Sequence, residues 1–249
     1  MKAGVRRSSF PCAAPALAGL TLLALAGCDQ KNSQSSRPAS AQDFPIADRP
    51  VAEIISTRWS TEEARDRLKE AEQVMDRAGI RPGMTVADIG AGEGYYTVRL
   101  AARVGAKGRV LAQDILPEVT DALARRITRE DWKNVSIKLG AVDDPKLPTN
   151  SFDRVFMVHM YHEIGEPYAF LWRLRPALKP GGQVIVVDAD RPTRMHGTPS
   201  ELLKCEFGTV GYRLVELKPN PSAGGYFARF VASGPLPQPS SISPCRLIS

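Results

Sequence analysis

Residues 85–94 constrain the fold of this chain more than any other stretch. Thr85-Val86-Ala87-Asp88-Ile89 is a short, mostly apolar run that reads as a strand buried on both faces, and it stops at Gly90-Ala91-Gly92-Glu93-Gly94. A helix over about 96–104 follows. Glycines at alternate positions let a backbone turn sharply and approach a ligand, while the first turn of the next helix offers amide donors with no partner of their own. Strand, glycine-rich loop and helix in series are the start of a parallel α/β sheet. A dinucleotide fingerprint would need its third glycine one place later, where Tyr95 stands.

The rest of the pattern agrees. Ser60 followed by Glu63 predicts a capped helix over 61–78 that Gly79 ends. Strands are predicted over 109–114, 135–139, 154–159 and 183–188, with helices over 118–130, 167–178 and 199–208 between or after them. The stretches 212–217 and 226–232 face each other across a Pro/Asn/Gly-rich loop, as an antiparallel pair would. The expectation is an α/β, three-layer, Rossmann-like sheet of seven strands, mostly parallel with an antiparallel last strand. Such a sheet binds its ligand at the carboxyl ends of its strands.

Several motifs in order carry a family resemblance over roughly 51–232. They are Val86-Ala87-Asp88-Ile89-Gly90-Ala91-Gly92-Glu93-Gly94, Asp114, Asp143 before Leu147-Pro148, Ser151-Phe152-Asp153, and Leu178-Lys179-Pro180-Gly181-Gly182. Together they resemble the class I S-adenosylmethionine-dependent methyltransferases, in the small-molecule branch that includes quinone-biosynthesis C-methyltransferases. The resemblance implies that Gly90, Gly92 and Gly94 cradle the methionine portion of S-adenosylmethionine, with Asp88 orienting the loop and facing the ammonium. It implies that Asp114 accepts the ribose hydroxyls and that Asp143 meets the adenine amino group, with Asp144 as the alternative. Carboxylates suit these tasks, since they accept two hydroxyl hydrogens at once and can pair a cationic amine.

The acceptor side carries fewer signals. His159, Tyr161, His162 and Glu163 follow the fourth strand, where this fold places groups beside the transferable methyl. His159 and His162 are therefore the candidate catalytic residues, having the pKa range of a base for an oxygen or nitrogen acceptor. No third ligand is evident for a metal on these two histidines, and none is expected. Tyr95 and Tyr96 either wall the pocket or pack on the sheet. Asp188, Asp190 and Arg191 end the fifth strand and either line the acceptor site or lie in solvent.

The amino terminus reads as an address. Lys2, Arg6 and Arg7 precede an apolar stretch over 13–26, too short to span a bilayer comfortably, which ends Leu25-Ala26-Gly27-Cys28. That ending resembles a bacterial lipobox, in which Cys28 would be acylated. The expected organisation is a lipoprotein signal peptide over 1–27, a lipidated cysteine and disordered tether over 28–50, the α/β domain over 51–232 and a Pro/Ser-rich tail over 233–249. The chain would then sit at the cell envelope, lipid-anchored on the periplasmic face of the inner membrane; translation starting later than Met1 would leave it cytoplasmic. Three of the net +6 charges lie in the leader, and the remainder argues for no nucleic-acid partner. Two functions are in view: methyl transfer to a small or lipophilic acceptor, or a non-catalytic membrane-tethered binding lipoprotein on the same fold. Oligomeric state and any pairing of Cys205 with Cys245 are left open.

Overall fold

The computed structural model describes residues 37–54 and 61–246. The leader, Cys28 and Ser60 lie outside the described residues. The sheet has seven strands: β1 Thr85–Ile89, β2 Arg109–Asp114, β3 Val135–Leu139, β4 Phe152–Val158, β5 Leu178–Asp188, β6 Tyr212–Asn220 and β7 Gly225–Ala232. Their spatial order is β3-β2-β1-β4-β5-β7-β6. Pairs among β1 to β5 are parallel, and β7 runs antiparallel to both β5 and β6. The order reverses between β1 and β4, so the loops after these strands open onto the topological switch point.

Alternation along the strands divides the core. Val86, Phe156, Ile185 and Val187 face one side, where they pack with helices α2 (Glu70–Arg77) and α3 (Tyr95–Val104). On the same side, α4 (Pro117–Arg129) lays Leu123 and Ile127 over Ala112. Ala87, Val155, Val184 and Val186 face the other side, against α5 (Pro167–Leu174) and α6 (Ser200–Thr209). Period-two alternation with both faces covered is what parallel strands require. Among the described residues no helix is long and apolar enough to cross a membrane.

The single helix expected over 61–78 is two. Thr61 caps α1 (Glu62–Arg67), its side chain accepting from the Ala64 amide. Lys69, at φ 54°, then breaks the run before α2. The break turns Glu70 inward, where its carboxylate meets three partners described below. A helical pattern in sequence does not reveal a left-handed lysine.

Both flanks are more ordered than expected. Residues 37–50, read as tether, pack on the domain: Ala41 and Phe44 join the core, and Arg49 is buried against Glu206, Nε to Oε1 at 2.8 Å. Arg37 pairs with Glu166 at 2.5 Å. A tether of the expected kind can therefore include no more than the segment up to Ser36, outside the described residues. In the tail, Ile242 and Cys245 are buried, and a disulfide joins Cys205 on α6 to Cys245. The Trp172 indole donates to the Pro237 carbonyl at 2.8 Å. Polar, Pro-rich composition hid these anchors because each rests on one or two side chains meeting distant partners.

Candidate active site

The three loop glycines have different reasons to be glycine. All have positive φ, which disfavours any residue with a Cβ. At Gly90 a Cβ would lie 2.9 Å from Met160 Cγ, and at Gly94 one would lie 2.5 Å from Leu123 Cδ1. Those two let protein approach protein, Gly90 bringing the loop after β4 against the loop after β1. At Gly92 a Cβ would meet nothing within 4 Å. Gly92 thus faces open space, as the ligand-facing member of a cradle must.

Asp88 and Asp114 lie at the ends of the two strands beside that loop. Asp88 is buried at the end of β1 and accepts from the Thr97 hydroxyl at 2.6 Å. Burial pushes its carboxyl up to about 6, against the opposing effect of that hydrogen bond. Asp114, at the end of β2, accepts from the Gly92 amide at 3.1 Å with one oxygen and from the Ile115 and Leu116 amides with the other. One carboxylate thereby fixes the glycine loop and the turn into α4, and the oxygen that holds Gly92 keeps a further lone pair for a hydroxyl donor.

Asp143 is not brought to this group. Its carboxylate accepts from the Ser40 hydroxyl at 2.6 Å and from Arg173 Nη1 at 2.7 Å. Those bonds clamp the 37–50 segment to α5. Asp144 holds the Lys146 amide at 2.7 Å, a local turn. Gln113, next to Asp114 in β2, is 1% exposed, its Nε2 has no hydrogen-bond partner, and Gly140 leaves room for it, since a Cβ there would lie 1.8 Å from that nitrogen. A buried amide without a partner is costly in an isolated protein, and it is a donor available to a ligand. No local motif marks Gln113, because an amide at a strand end becomes conspicuous only when its surroundings are known.

α1 and α2 cover this end of the sheet. Arg65 lies 3.8 Å over the Tyr95 ring and pairs with Glu70 at 2.6 Å. The Tyr96 hydroxyl donates to Glu70 at 3.1 Å, and His159 Nε2 lies 3.7 Å from the same oxygen. Burial alone would push Glu70 up; Arg65 and His159 outweigh it and hold the carboxyl at about 2. Tyr95 directly follows the glycine loop, so this guanidinium stands near the loop. Tyr95 donates to Asp66 at 3.0 Å; both tyrosines pack and hydrogen-bond beneath the helical cover. Arg65 escaped the sequence reading because a charged run on an amphipathic helix reads as a solvated face.

Of the two candidate catalytic histidines, His159 adopts φ 54° at the end of β4 and turns toward Glu70. His162, on the 3-10 turn Tyr161–Glu163, is 2% exposed, with Nδ1 3.0 Å from Asp188. Asp188 is fully buried and also accepts from the Ala189 amide at 2.9 Å and the Thr198 hydroxyl at 2.7 Å. Asp190 caps α6 through the Ser200 amide at 2.9 Å, and Arg191 donates to the His196 carbonyl at 3.0 Å. The two histidines therefore do different work, one against the cover and one against the end of β5.

Comparison with known proteins supports the same region. A methyltransferase-domain family model matches residues 86–182. The chain is 31% identical over 114 residues to a demethylmenaquinone methyltransferase of Symbiobacterium thermophilum, 45% of each chain. It is 30% identical over 111 residues to a protein-L-isoaspartate O-methyltransferase of Methanothrix thermoacetophila, 45% of this chain and 50% of that one. The chain thus spans about half the length of these curated relatives. The fold is similar to that of a SAM-dependent methyltransferase from Aquifex aeolicus, at TM-score 0.59 and 24% identity over 69% of this chain and 97% of that one.

Proposed function

We propose that this chain, which carries a methyltransferase domain over residues 86–182, transfers the methyl group of S-adenosylmethionine to a small or lipophilic acceptor at the cell envelope. The observation that carries the reading is Gly92, whose missing Cβ faces open space and whose amide is held by Asp114. The bound sulfonium supplies an already activated methyl group. Gly92 leaves room for the methionine backbone, and Asp88 offers its negative charge to the ammonium. Arg65, close to the same loop, suits the carboxylate of that moiety. Asp114 would take the ribose hydroxyls, and Gln113 Nε2 rather than Asp143 would donate to the base.

The acceptor belongs at the carboxyl ends of β4 and β5, between His159 and His162. Little chemistry is required of the protein there, since alignment of acceptor and methyl in a polar site set in advance supplies much of the rate. The helical cover of α1 and α2 would limit water. The two relatives are named for acceptors of different classes, demethylmenaquinone and protein L-isoaspartate.

The envelope location rests on the Leu25-Ala26-Gly27-Cys28 pattern and gains support from the Cys205–Cys245 disulfide, because such bonds persist in oxidising compartments. Lipid on Cys28 would anchor the domain stably if more than one acyl chain is added. The test is to incubate the full chain with S-adenosylmethionine carrying a labelled methyl and an extract of bacterial membranes. Label in a chloroform-soluble small molecule is expected, together with incorporation of a fatty-acid probe that Cys28→Ser abolishes. S-adenosylmethionine binding with no labelled product in any fraction would instead favour the non-catalytic binding lipoprotein.

A further inference from the structure

Two loops at the carboxyl end of the sheet bring together three potential metal-ligating side chains outside the proposed methyl-donor site. His162 and Glu163 lie on the turn after β4, and His196 ends the 3-10 turn Thr193–Met195 after β5. One donor atom from each lies within 4.8 Å of the others, and this is the one such trio of His, Cys, Asp or Glu among the described residues. His162 Nε2 is 3.9 Å from Glu163 Oε1, and the two imidazoles meet edge to face with centroids 5.6 Å apart.

The surroundings fix this trio. Asp188 accepts from Ala189 and Thr198 and lies 3.0 Å from His162 Nδ1. A fully buried carboxylate at that distance requires a proton on Nδ1, so in the neutral ring the lone pair is on Nε2, directed to the side where Glu163 and His196 lie. A carboxylate holding the far nitrogen of an imidazole is the support that metal-binding histidines have. His196 is held at φ 57°, a conformation that costs a non-glycine residue energy, and its carbonyl is clamped by Arg191 Nε at 3.2 Å and Nη2 at 3.0 Å. Its backbone is thus held in place in spite of that cost.

We propose that His162, Glu163 and His196 bind a divalent ion of the zinc class, with Asp188 supporting His162 and the fourth position taking water or a donor atom of the acceptor. Two neutral imidazoles and one carboxylate are a donor set for zinc, and bonds of ~2.0–2.1 Å place tetrahedral donors ~3.3 Å apart. On the methyl-transfer reading, the ion would bind an acceptor oxygen or nitrogen and lower its pKa, which favours heteroatom acceptors over ring carbon. Metal binding itself does not depend on that reading.

The test uses the full chain, stripped with a chelator and titrated with zinc and with cobalt. One equivalent of zinc is expected, and cobalt should give the visible absorption of four-coordinate metal without the thiolate band that Cys12 or Cys28 would add. Glu163→Gln and His196→Gln should each weaken zinc by roughly 100-fold or more, and Asp188→Asn by roughly 10- to 100-fold. S-adenosylmethionine binding, measured by calorimetry on the same samples, reports that each variant is folded and is expected to persist. Absence of stoichiometric zinc in the wild-type chain overturns the proposal, as does His196→Gln binding zinc with unchanged affinity. Loss of S-adenosylmethionine binding in the wild-type chain with zinc retained would contradict the methyltransferase reading and leave the metal site standing.

Discussion

At the scale of single residues, Asp88 ties the site to pH. Its folded pKa, about 6, lies above the usual carboxylate value because of burial. The charged form is therefore disfavoured in the free protein, and the group's contribution to stability falls as pH rises from about 4 through about 6, by at most ~3 kcal/mol. A cationic ammonium beside Asp88 favours the charged form. Affinity for S-adenosylmethionine should then rise between pH 5 and pH 7, and Asp88→Asn should both weaken binding and flatten that rise; calorimetry at several pH values reads both. Glu70 has the opposite sign. Its carboxyl is held at about 2, so the stability that its pairing with Arg65 contributes is present above the usual carboxylate range and is lost as pH falls from there toward 2. Asp114→Ala removes the acceptor of the Gly92 amide and a proposed ribose contact, and should cost about 1.5–3 kcal/mol of cofactor affinity. Asp143→Ala should leave that affinity nearly unchanged, because its partners are Ser40 and Arg173.

At the scale of elements, the flanks secure the α5–α6 face. Arg49 reaches Glu206 on α6 with both side chains at most 1% exposed, and Glu206 also accepts from the Tyr161 hydroxyl at 2.7 Å. Removing one partner strands a buried charge, so a chain beginning at Pro50 should be less stable than one beginning at Arg37 by about 3–5 kcal/mol in chemical denaturation. The disulfide closes a loop across 40 positions from α6 to the tail. Cys205→Ser should lower stability by about 2–4 kcal/mol, and a reductant should do the same to the wild-type chain but not to the variant. These elements also show what could be read in advance. Strands β2 and β3 were legible to the residue, because apolar alternation and flanking turn residues specify a strand locally. The anchors at Arg37, Arg49, Ile242 and Cys245 were not, since each depends on a partner more than 35 positions away. The same limit hid His196, whose neighbours His162 and Glu163 come from another loop.

At the scale of the whole molecule, the seven-stranded order brings the loops after β1, β2, β4 and β5 to one end, and the proposed chemistry lies entirely there. The glycine loop, Asp88 and Asp114 were readable because the motif is contiguous and its strand context is clear. The partners of Asp143 were not readable, because Ser40 and Arg173 lie 103 and 30 positions away in the chain. A fold supports many chemistries, so methyl transfer stands or falls on the site. The most direct measurement is calorimetric titration of the full chain with S-adenosylmethionine and, separately, with NAD, repeated on Gly92→Val. The proposed site predicts saturable binding of S-adenosylmethionine at one equivalent, no binding of NAD, and loss of at least 100-fold in affinity in the variant, whose Cβ would fill the open face and strain a residue at φ 54°. Binding of NAD alone, or undiminished S-adenosylmethionine affinity in a folded Gly92→Val protein, would contradict it.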